Sequence, residues 1–238
     1  MEILFGLPAH RYDLYWKQLP EFRSLLPLFP QVNLTSSPYH EFFHTQIDNN
    51  QVVFLHAGWG KVATAGATQY AIDRWHPKLL TNLGTCGGFK GRVNRGEIIL
   101  AEETIIYDII EQMTDADQAI RFYSSKAELT WLVQDFPITV RRAKLLSADR
   151  DILPQDIPML ISRFDAIAAD WESGAFAWVA SQNKTDWLIL RGVSDIVDHT
   201  GSKAYGNASL WMERSKTIMA KLFDCLPFCF QRYQSTHL

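Results

Sequence analysis

Short apolar runs alternate with helix-length amphipathic stretches along this chain, and this alternation limits the possible folds more than any other feature. Such alternation is typical of α/β domains, in which helices cover a sheet. The predicted strands are Ile3–Leu7, Phe42–Asp48, Gln51–Ala57, Leu79–Leu83, Glu97–Tyr107, Arg142–Ser147, Phe164–Ala168 and Trp187–Val193. The predicted helices are Tyr12–Leu19, Lys61–Trp75, Lys126–Gln134, Trp171–Ser181 and Ser209–Phe223. Asn49 and Asn50 favour a turn that joins the second and third strands in a hairpin.

The 238 residues suffice for one substantial domain, and no repeat or Gly/Ser linker divides them, so we expect a single domain over residues 1–238. The net charge of −3 gives no general attraction to nucleic acid or anionic lipid. No apolar run approaches the roughly 20 residues that span a bilayer, and the first residues lack the pattern of a signal peptide. With three scattered cysteines (Cys86, Cys225 and Cys229), we expect reduced thiols in a cytoplasmic protein.

The most conspicuous short motif is His40-Glu41-Phe42-Phe43-His44, which matches the H-E-x-x-H pattern of zinc proteases. That pattern binds zinc only on a helix, where histidines four residues apart share a face. Here it follows Ser-Ser-Pro and runs into the predicted hairpin, with no evident third ligand. We therefore expect no metal site.

Small and acidic residues follow several predicted strands, in Gly84–Phe89, Ser147–Ile152 and Ser194–Asp198. Ligands of open α/β sheets bind beyond the carboxyl ends of the strands, so a pocket is expected there. Glycines in the first segment either allow a ligand to approach the backbone or form a tight turn. Their spacing matches neither the dinucleotide nor the P-loop motif, and we expect no cofactor.

Two acidic positions admit both a structural and a functional interpretation. Asp170 suits the N-cap of the predicted helix and Glu172 suits its first turn, which would fully explain both residues. Asp195 follows a strand beside Arg191 and Ser194, where it forms either an ion pair or a catalytic acid.

Taken together, these segments resemble the 5′-methylthioadenosine/S-adenosylhomocysteine nucleosidases, with the order and spacing of the motifs kept as far as Tyr205. The matching stretches are Ala57–Lys61, Asn82–Phe89, Ser147–Asp149, Trp171–Ser173 and Val193–Asp195. The resemblance implies a nucleoside phosphorylase-like fold: a single-domain three-layer αβα sandwich with a twisted mixed central sheet. It also implies a homodimer, small nucleoside substrates and a part in methionine salvage.

The resemblance implies roles at individual positions. Asp195 matches the aspartate that protonates the purine N7, and Glu172 matches the glutamate that holds the ribose hydroxyls. Trp171 stands where the family has a methionine against the sugar. The main chain of Ile152 matches a segment that binds the purine edge, and Tyr205 falls near an aromatic that closes the 5′ end. The remaining candidate substrate-binding residues are the wall behind the base and the neighbours of these groups: Thr85, Cys86, Gly87, Asp151, Asp170, Arg191 and Ser194.

One position departs from the family. The water-activating glutamate lies shortly after the first strand in the relatives, and an ungapped match places His10 there, with no glutamate between Phe5 and Leu19. Histidine can act as a base near neutral pH. His10 is therefore a candidate catalytic residue, the alternative being a solvated loop histidine in a protein with altered or lost hydrolysis.

Three functions stay open at this point. The first is hydrolysis of the N-ribosyl bond of a purine nucleoside, expected to be a 5′-modified adenosine. The second is phosphorolysis, although Asn82 stands where the superfamily's phosphorylases carry a phosphate-binding arginine, and a lone Arg11 is little support for an oxyanion site. The third is a relative that binds a nucleoside without cleaving it.

Overall fold

The computed structural model describes residues 2–7, 20–132 and 136–237, and for residues 2–7 it describes the backbone. His10, Arg11 and the predicted helix Tyr12–Leu19 lie outside these ranges.

Within the described ranges, eleven strands form one mixed sheet. Their bounds are β1 Glu2–Leu7, β2 Thr35–Ser37, β3 His40–Ile47, β4 Asn50–His56, β5 Leu79–Phe89, β6 Ile98–Ile106, β7 Ser125–Lys126, β8 Val140–Ser147, β9 Ala168–Asp170, β10 Asp186–Asp198 and β11 Gly201–Ser202. The order β11-β10-β6-β8-β9-β5-β1-β4-β3-β2 is supplemented by pairing of β10 with β5. That extra pairing closes β5, β9, β8, β6 and β10 into a ring.

Seven α-helices surround the sheet in the described ranges. They are α1 Pro20–Leu25, α2 Gly60–Trp75, α3 Ala116–Phe122, α4 Ile157–Phe164, α5 Ser173–Gln182, α6 Ala208–Asp224 and α7 Leu226–His237. None of them combines the length and apolar character needed to cross a membrane.

Successive side chains of β10 divide between two cores, which gives the fold its three layers. Leu188 and Leu190 join a core beneath α1, α6 and α7, whereas Trp187 and Ile189 join a second core beneath α2 and α5. A strand sends alternate residues to opposite faces, so an almost continuously apolar strand belongs at the centre of a sheet covered on both sides. The predicted three-layer α/β architecture with a mixed sheet is confirmed, whereas closure of part of the sheet was not predicted.

Most predicted elements occur within a few residues of their expected bounds, but three predictions were wrong. The strand beginning at Leu79 does not end before the glycines, because β5 continues to Phe89. The segment predicted as a strand from Phe164 contains the end of α4, which stops where Asp165 adopts a left-handed conformation, and β9 begins only at Ala168.

The helix predicted from Lys126 is also absent, since Lys126 belongs to β7 and residues 127–132 are not helical. Leu129, Trp131 and Leu132 are all buried in the first core. An irregular segment lying across a core can bury all three side chains together, whereas a helix would have placed Leu129 and Leu132 on one face and turned Trp131 away from it.

Candidate active site

A cavity of about 460 Å³ opens near β5, β10 and the beginning of α5, a size typical of small-molecule sites. It is lined by most of the residues predicted from sequence: Thr85, Cys86, Gly87, Asp151, Ile152, Asp170, Trp171, Glu172, Ser194, Asp195 and Tyr205. It is also lined by residues that the sequence did not single out, among them Glu21, Trp59, Arg150 and Trp211. The segments predicted to meet at strand ends therefore do meet, although two of them lie within the long strands β5 and β10.

One wall of the cavity is formed by a glycine of β5 packed against Ile152. A Cβ atom added to Gly87 would lie 2.7 Å from Ile152 Cδ1, which is closer than two carbons approach without one of them moving. The absence of a side chain at Gly87 therefore lets Ile152 pack closely against the strand at this wall of the cavity.

A β-bulge directs Asp195 into this cavity. Val193 pairs with Cys86 and Asp195 pairs with Gly87, so Ser194 is an extra residue in β10. In a regular strand, Ser194 and Asp195 would point to opposite faces, whereas here both line the cavity. The bulge therefore places a carboxyl group and a hydroxyl group side by side at the Gly87 wall.

Two hydroxyl groups hold the Asp195 carboxyl group in place. Ser194 Oγ lies 2.7 Å from Oδ1, and Ser202 Oγ lies 2.5 Å from Oδ2. Asp195 is 8% exposed and forms no salt bridge among the described residues. The ion-pair interpretation of Asp195 is therefore not supported, and Arg191 has a different partner.

That partner is Asp170, and together they form a fully buried ion pair. Arg191 Nε donates to Asp170 Oδ2 over 2.7 Å, with the two side chains 0% and 2% exposed. Ser147 Oγ and the backbone N–H of Ser173 also donate to Asp170, at 2.6 and 3.1 Å. These contacts tie together β8, β10 and the beginning of α5.

Asp170 stabilises the beginning of α5 from a position different from the predicted one. The helix begins at Ser173, and Glu172 rather than Asp170 occupies the N-cap position. The Asp170 carboxylate nevertheless accepts a hydrogen bond from the Ser173 N–H, which has no partner within the helix. Glu172 is thereby free to point into the cavity.

Glu172 is buried close to the ion pair. Its Oε1 accepts a hydrogen bond of 3.1 Å from the Gly60 N–H at the beginning of α2. Burial, and after it the nearby Asp170 carboxylate, raise the pKa of Glu172 to about 8, against a smaller opposing effect of Arg191. A carboxyl group that gains or loses its proton near neutral pH is typical of catalytic sites.

A second buried glutamate, Glu21 of α1, was missed by the sequence analysis. Its Oε1 accepts hydrogen bonds from the N–H and the hydroxyl of Thr85, at 3.0 and 2.9 Å. Its Oε2 is buried and has no hydrogen-bond partner among the described residues. Burial is the largest influence on Glu21 and raises its pKa, while Thr85 and Arg191 lower it.

The signal for Glu21 was present in the sequence but lay further along than expected. Pro20 begins a short helix and Glu21 lies in its first turn, a common place for an acidic residue. The family's glutamate was expected between Phe5 and Leu19, and that range ends one residue before this helix. The contact of Glu21 with Thr85 joins residues 64 positions apart, so local pattern could not have shown it.

Aromatic side chains surround the opening of the cavity. Trp171 stacks on Trp59 with ring centroids 4.3 Å apart and an angle of 19° between the planes. The Tyr205 hydroxyl donates to the Ile152 carbonyl over 2.9 Å. Burial, followed by the nearby Asp151 carboxylate, raises the pKa of Tyr205.

Two of the remaining sequence predictions are located by the structure. Asp151 lines the cavity, and burial together with the Asp195 charge raises its pKa. The H-E-x-x-H motif lies on β3 instead of on a helix, so its histidines do not have the geometry of the zinc proteases. His10 remains a prediction, because it lies outside the described ranges.

Comparison with known proteins agrees with this geometry. The family model described as the phosphorylase superfamily matches residues 16–224, which is most of the chain. A 5′-methylthioadenosine/S-adenosylhomocysteine nucleosidase of Maridesulfovibrio salexigens is 30% identical over 182 residues, covering 71% of this chain and 78% of that protein.

Solved structures share the fold at lower identity. A mutant futalosine hydrolase of Helicobacter pylori superimposes with a TM-score of 0.75 at 16% identity, covering 94% of this chain and 98% of the other. The 5′-methylthioadenosine/S-adenosylhomocysteine nucleosidase of Campylobacter jejuni gives a TM-score of 0.73 at 16% identity, covering 95% and 98%. The chain therefore belongs to the phosphorylase superfamily and, within it, to the 5′-methylthioadenosine/S-adenosylhomocysteine nucleosidases.

Proposed function

We propose that this protein is a nucleosidase that hydrolyses the N-ribosyl bond of a 5′-modified adenosine and releases the free base. The relatives named above support the reaction class. The observation that carries the proposal is the placement of Asp195 at the Gly87 wall and of Glu21 and Glu172 elsewhere in the same cavity. Cleavage of an N-ribosyl bond needs an acid at the base and carboxylates at the sugar, and the cavity offers both.

At the base, Asp195 acts as the general acid. As the bond from the ribose C1′ to the base nitrogen breaks, its electron pair moves onto the purine, and the Asp195 proton passes to N7. Ser194 and Ser202 keep the carboxyl group oriented for that transfer. General acid catalysis of this kind is typically worth about 10²–10⁴-fold in rate.

At the sugar, Glu172 binds the ribose hydroxyls and stabilises the positive charge that develops on the ring. With a pKa of about 8, Glu172 holds a proton at neutral pH in the empty site. Positive charge on the ribose favours its ionised form, so the stabilisation grows as the transition state is approached.

Glu21 is the base that activates water in this proposal, in place of His10. Its Oε2 is the buried acceptor that has no partner among the described residues, and Thr85 fixes the other oxygen. Water adds to C1′ and its proton passes to Glu21, giving the 5′-modified ribose. The raised pKa of Glu21 makes it a stronger base than an exposed carboxylate.

Phosphorolysis fits the cavity less well than hydrolysis. The buried guanidinium of Arg191 is already paired with Asp170, and Glu21 and Glu172 lie close to it. A phosphate dianion placed there would be repelled by the Asp170 carboxylate, and by Glu21 or Glu172 whenever either is ionised, in a site of low polarity. A water molecule is neutral and is not repelled by these carboxyl groups.

Release of free base, measured with and without phosphate from methylthioadenosine, S-adenosylhomocysteine, adenosine and inosine, tests the proposal. We expect release without phosphate, and a loss of about 10²–10⁴-fold in kcat in Asp195→Asn and in Glu21→Gln. Matched controls are Asp198→Asn, on the same strand but outside the cavity lining, and Glu41→Gln, in a surface ion pair with Arg23. Both controls should retain parental rates.

Three outcomes would contradict parts of the proposal. Release that requires phosphate would identify a phosphorylase. Full activity of Glu21→Gln together with loss of activity in His10→Gln would return the role of base to His10. No release from any substrate by a folded protein that binds adenine would identify a binding protein.

We also propose that the protein is a cytoplasmic homodimer that serves methionine salvage. Its free, buried cysteines suit a reducing compartment, and symmetric dimers are the commonest soluble oligomers. Light scattering of the purified protein tests the dimer.

A further inference from the structure

Trp59 lies in a loop whose backbone path depends on the two glycines on either side of it. The flanking residues Gly58 and Gly60 have φ angles of 88° and 80°, which other residues rarely adopt. A Cβ atom at Gly58 would lie 2.6 Å from Ala63 Cβ, and one at Gly60 would lie 2.9 Å from Asp149 Oδ1. The position of the indole is therefore set by the backbone as well as by its own contacts.

The same loop is tied to the sugar-binding carboxylate. The Gly60 N–H donates to Glu172, and the next N–H along, that of Lys61, donates to Asp149 Oδ1 over 2.7 Å. Trp171, directly before Glu172, stacks on Trp59. The two indoles thus form one aromatic surface at a fixed position relative to Glu172.

This surface lies at the open end of the cavity. Trp59 is 43% exposed, whereas Glu172 and Asp195 are buried. Tyr205, which is 41% exposed, and Trp211 line the same cavity. A nucleoside whose base and hydroxyls bind the buried groups extends its 5′ substituent toward this aromatic end.

The cavity disfavours charged substituents. Arg150 is the one basic side chain among the described residues that line it, and Arg150 is already paired with Asp156. The other charged side chains of the lining are carboxylates, including Asp151. A zwitterionic amino-acid tail would therefore leave its own carboxylate without a basic partner in the described part of the site.

We propose that Trp59 and Trp171 select nucleosides with a neutral apolar 5′ substituent, most strongly an aromatic one, over those with an amino-acid tail. This inference rests on the proposed function, because it concerns the substrate of that same reaction. An aryl group that packs on the indole pair gains an aromatic contact, whereas the homocysteine tail gains neither an aromatic contact nor a basic partner for its carboxylate.

The test compares kcat/KM for adenosine, methylthioadenosine, 5′-phenylthioadenosine and S-adenosylhomocysteine in the parent, Trp59→Leu and Trp59→Phe. Phe122→Leu, an exposed aromatic residue outside the cavity lining, is the control. We expect the parent to prefer phenylthioadenosine to S-adenosylhomocysteine. Trp59→Leu should lower that ratio about two- to tenfold and Trp59→Phe should partly restore it.

The outcomes separate this inference from the proposed function. If the parent releases adenine from none of the four nucleosides, the proposed function fails. If it cleaves them and the ratio is the same in Trp59→Leu as in the parent, only the inference fails. An unchanged ratio with an altered oligomeric mass would assign the indole pair to a subunit contact and would equally overturn the inference.

Discussion

The two ends of the cavity hold their acidic groups in opposite ways. At the base end, Asp195 is held by two hydroxyl groups on its own stretch of chain, Ser194 and Ser202. At the sugar end, Glu21, Asp170 and Glu172 surround the buried guanidinium of Arg191, and their contacts come from several distant elements.

This difference concerns the charge that surrounds the carboxyl groups at each end. At the base end, hydroxyl groups orient Asp195 without adding charge. The sugar end concentrates negative charge around a single cation, and burial there raises the pKa values of Glu21 and Glu172. We expect changes at the sugar end to affect folding as well as catalysis, and changes at the base end to affect catalysis alone.

The most disruptive test of this contrast is Arg191→Met. It leaves Asp170 buried without a counter-charge, and removal of one partner of a buried ion pair typically costs about 3–5 kcal/mol. Urea denaturation should show that loss in the free energy of unfolding. The double variant Arg191→Met/Asp170→Asn should recover much of it, and a double variant as unstable as the single one would argue against the ion pair as the cause.

A smaller and pH-dependent effect is expected for Glu172→Gln. The folded protein binds this proton up to a pKa of about 8, whereas an unfolded glutamate releases it near its ordinary pKa of 4.5. The unfolded state therefore binds fewer protons between those values, and the Glu172 contribution makes stability fall as pH rises from about 4.5 to 8.

Glutamine removes this contribution while its amide oxygen still accepts from Gly60. Glu172→Gln should therefore be more stable than the parent by up to about 4 kcal/mol at pH 8 and little different at pH 4.5, while losing activity. Thermal melts across this pH range measure the difference. A gain that is the same at both ends of the range would contradict the raised pKa of Glu172.

The smallest effect is expected from Ser202→Ala at the base end. It removes one of two hydrogen bonds to Asp195, each worth about 0.5–1.5 kcal/mol, so kcat should fall about two- to tenfold. The melting temperature should change little, because Ser202 lies near the surface in a short hairpin strand. Ser235→Ala, at an exposed helix end, is the control, and equal losses in both variants would remove the special role of Ser202.

Much of the fold could be predicted because its strands are strongly apolar and its helices have regular patterns. The hairpin β3–β4 and the helices α2 and α6 have nearly the predicted bounds. The segment after Lys126 could not be predicted, because its apolar residues are buried by tertiary packing and not by a helical period. The extension of β5 through its glycines was hidden for a related reason, since glycine has little strand preference of its own.

By itself the sequence determined the α/β class, the order of the motifs and the segments that meet at the cavity, because these follow from local periodicity and from short, ordered motifs. Only the tertiary structure decided that Glu21 enters the site, that a bulge turns Asp195 inward and that Arg191 pairs with Asp170. These features depend on contacts between residues far apart in the chain. The energies of these contacts arise only when packing removes water and brings the charged groups together. A local pattern of residues therefore cannot predict them.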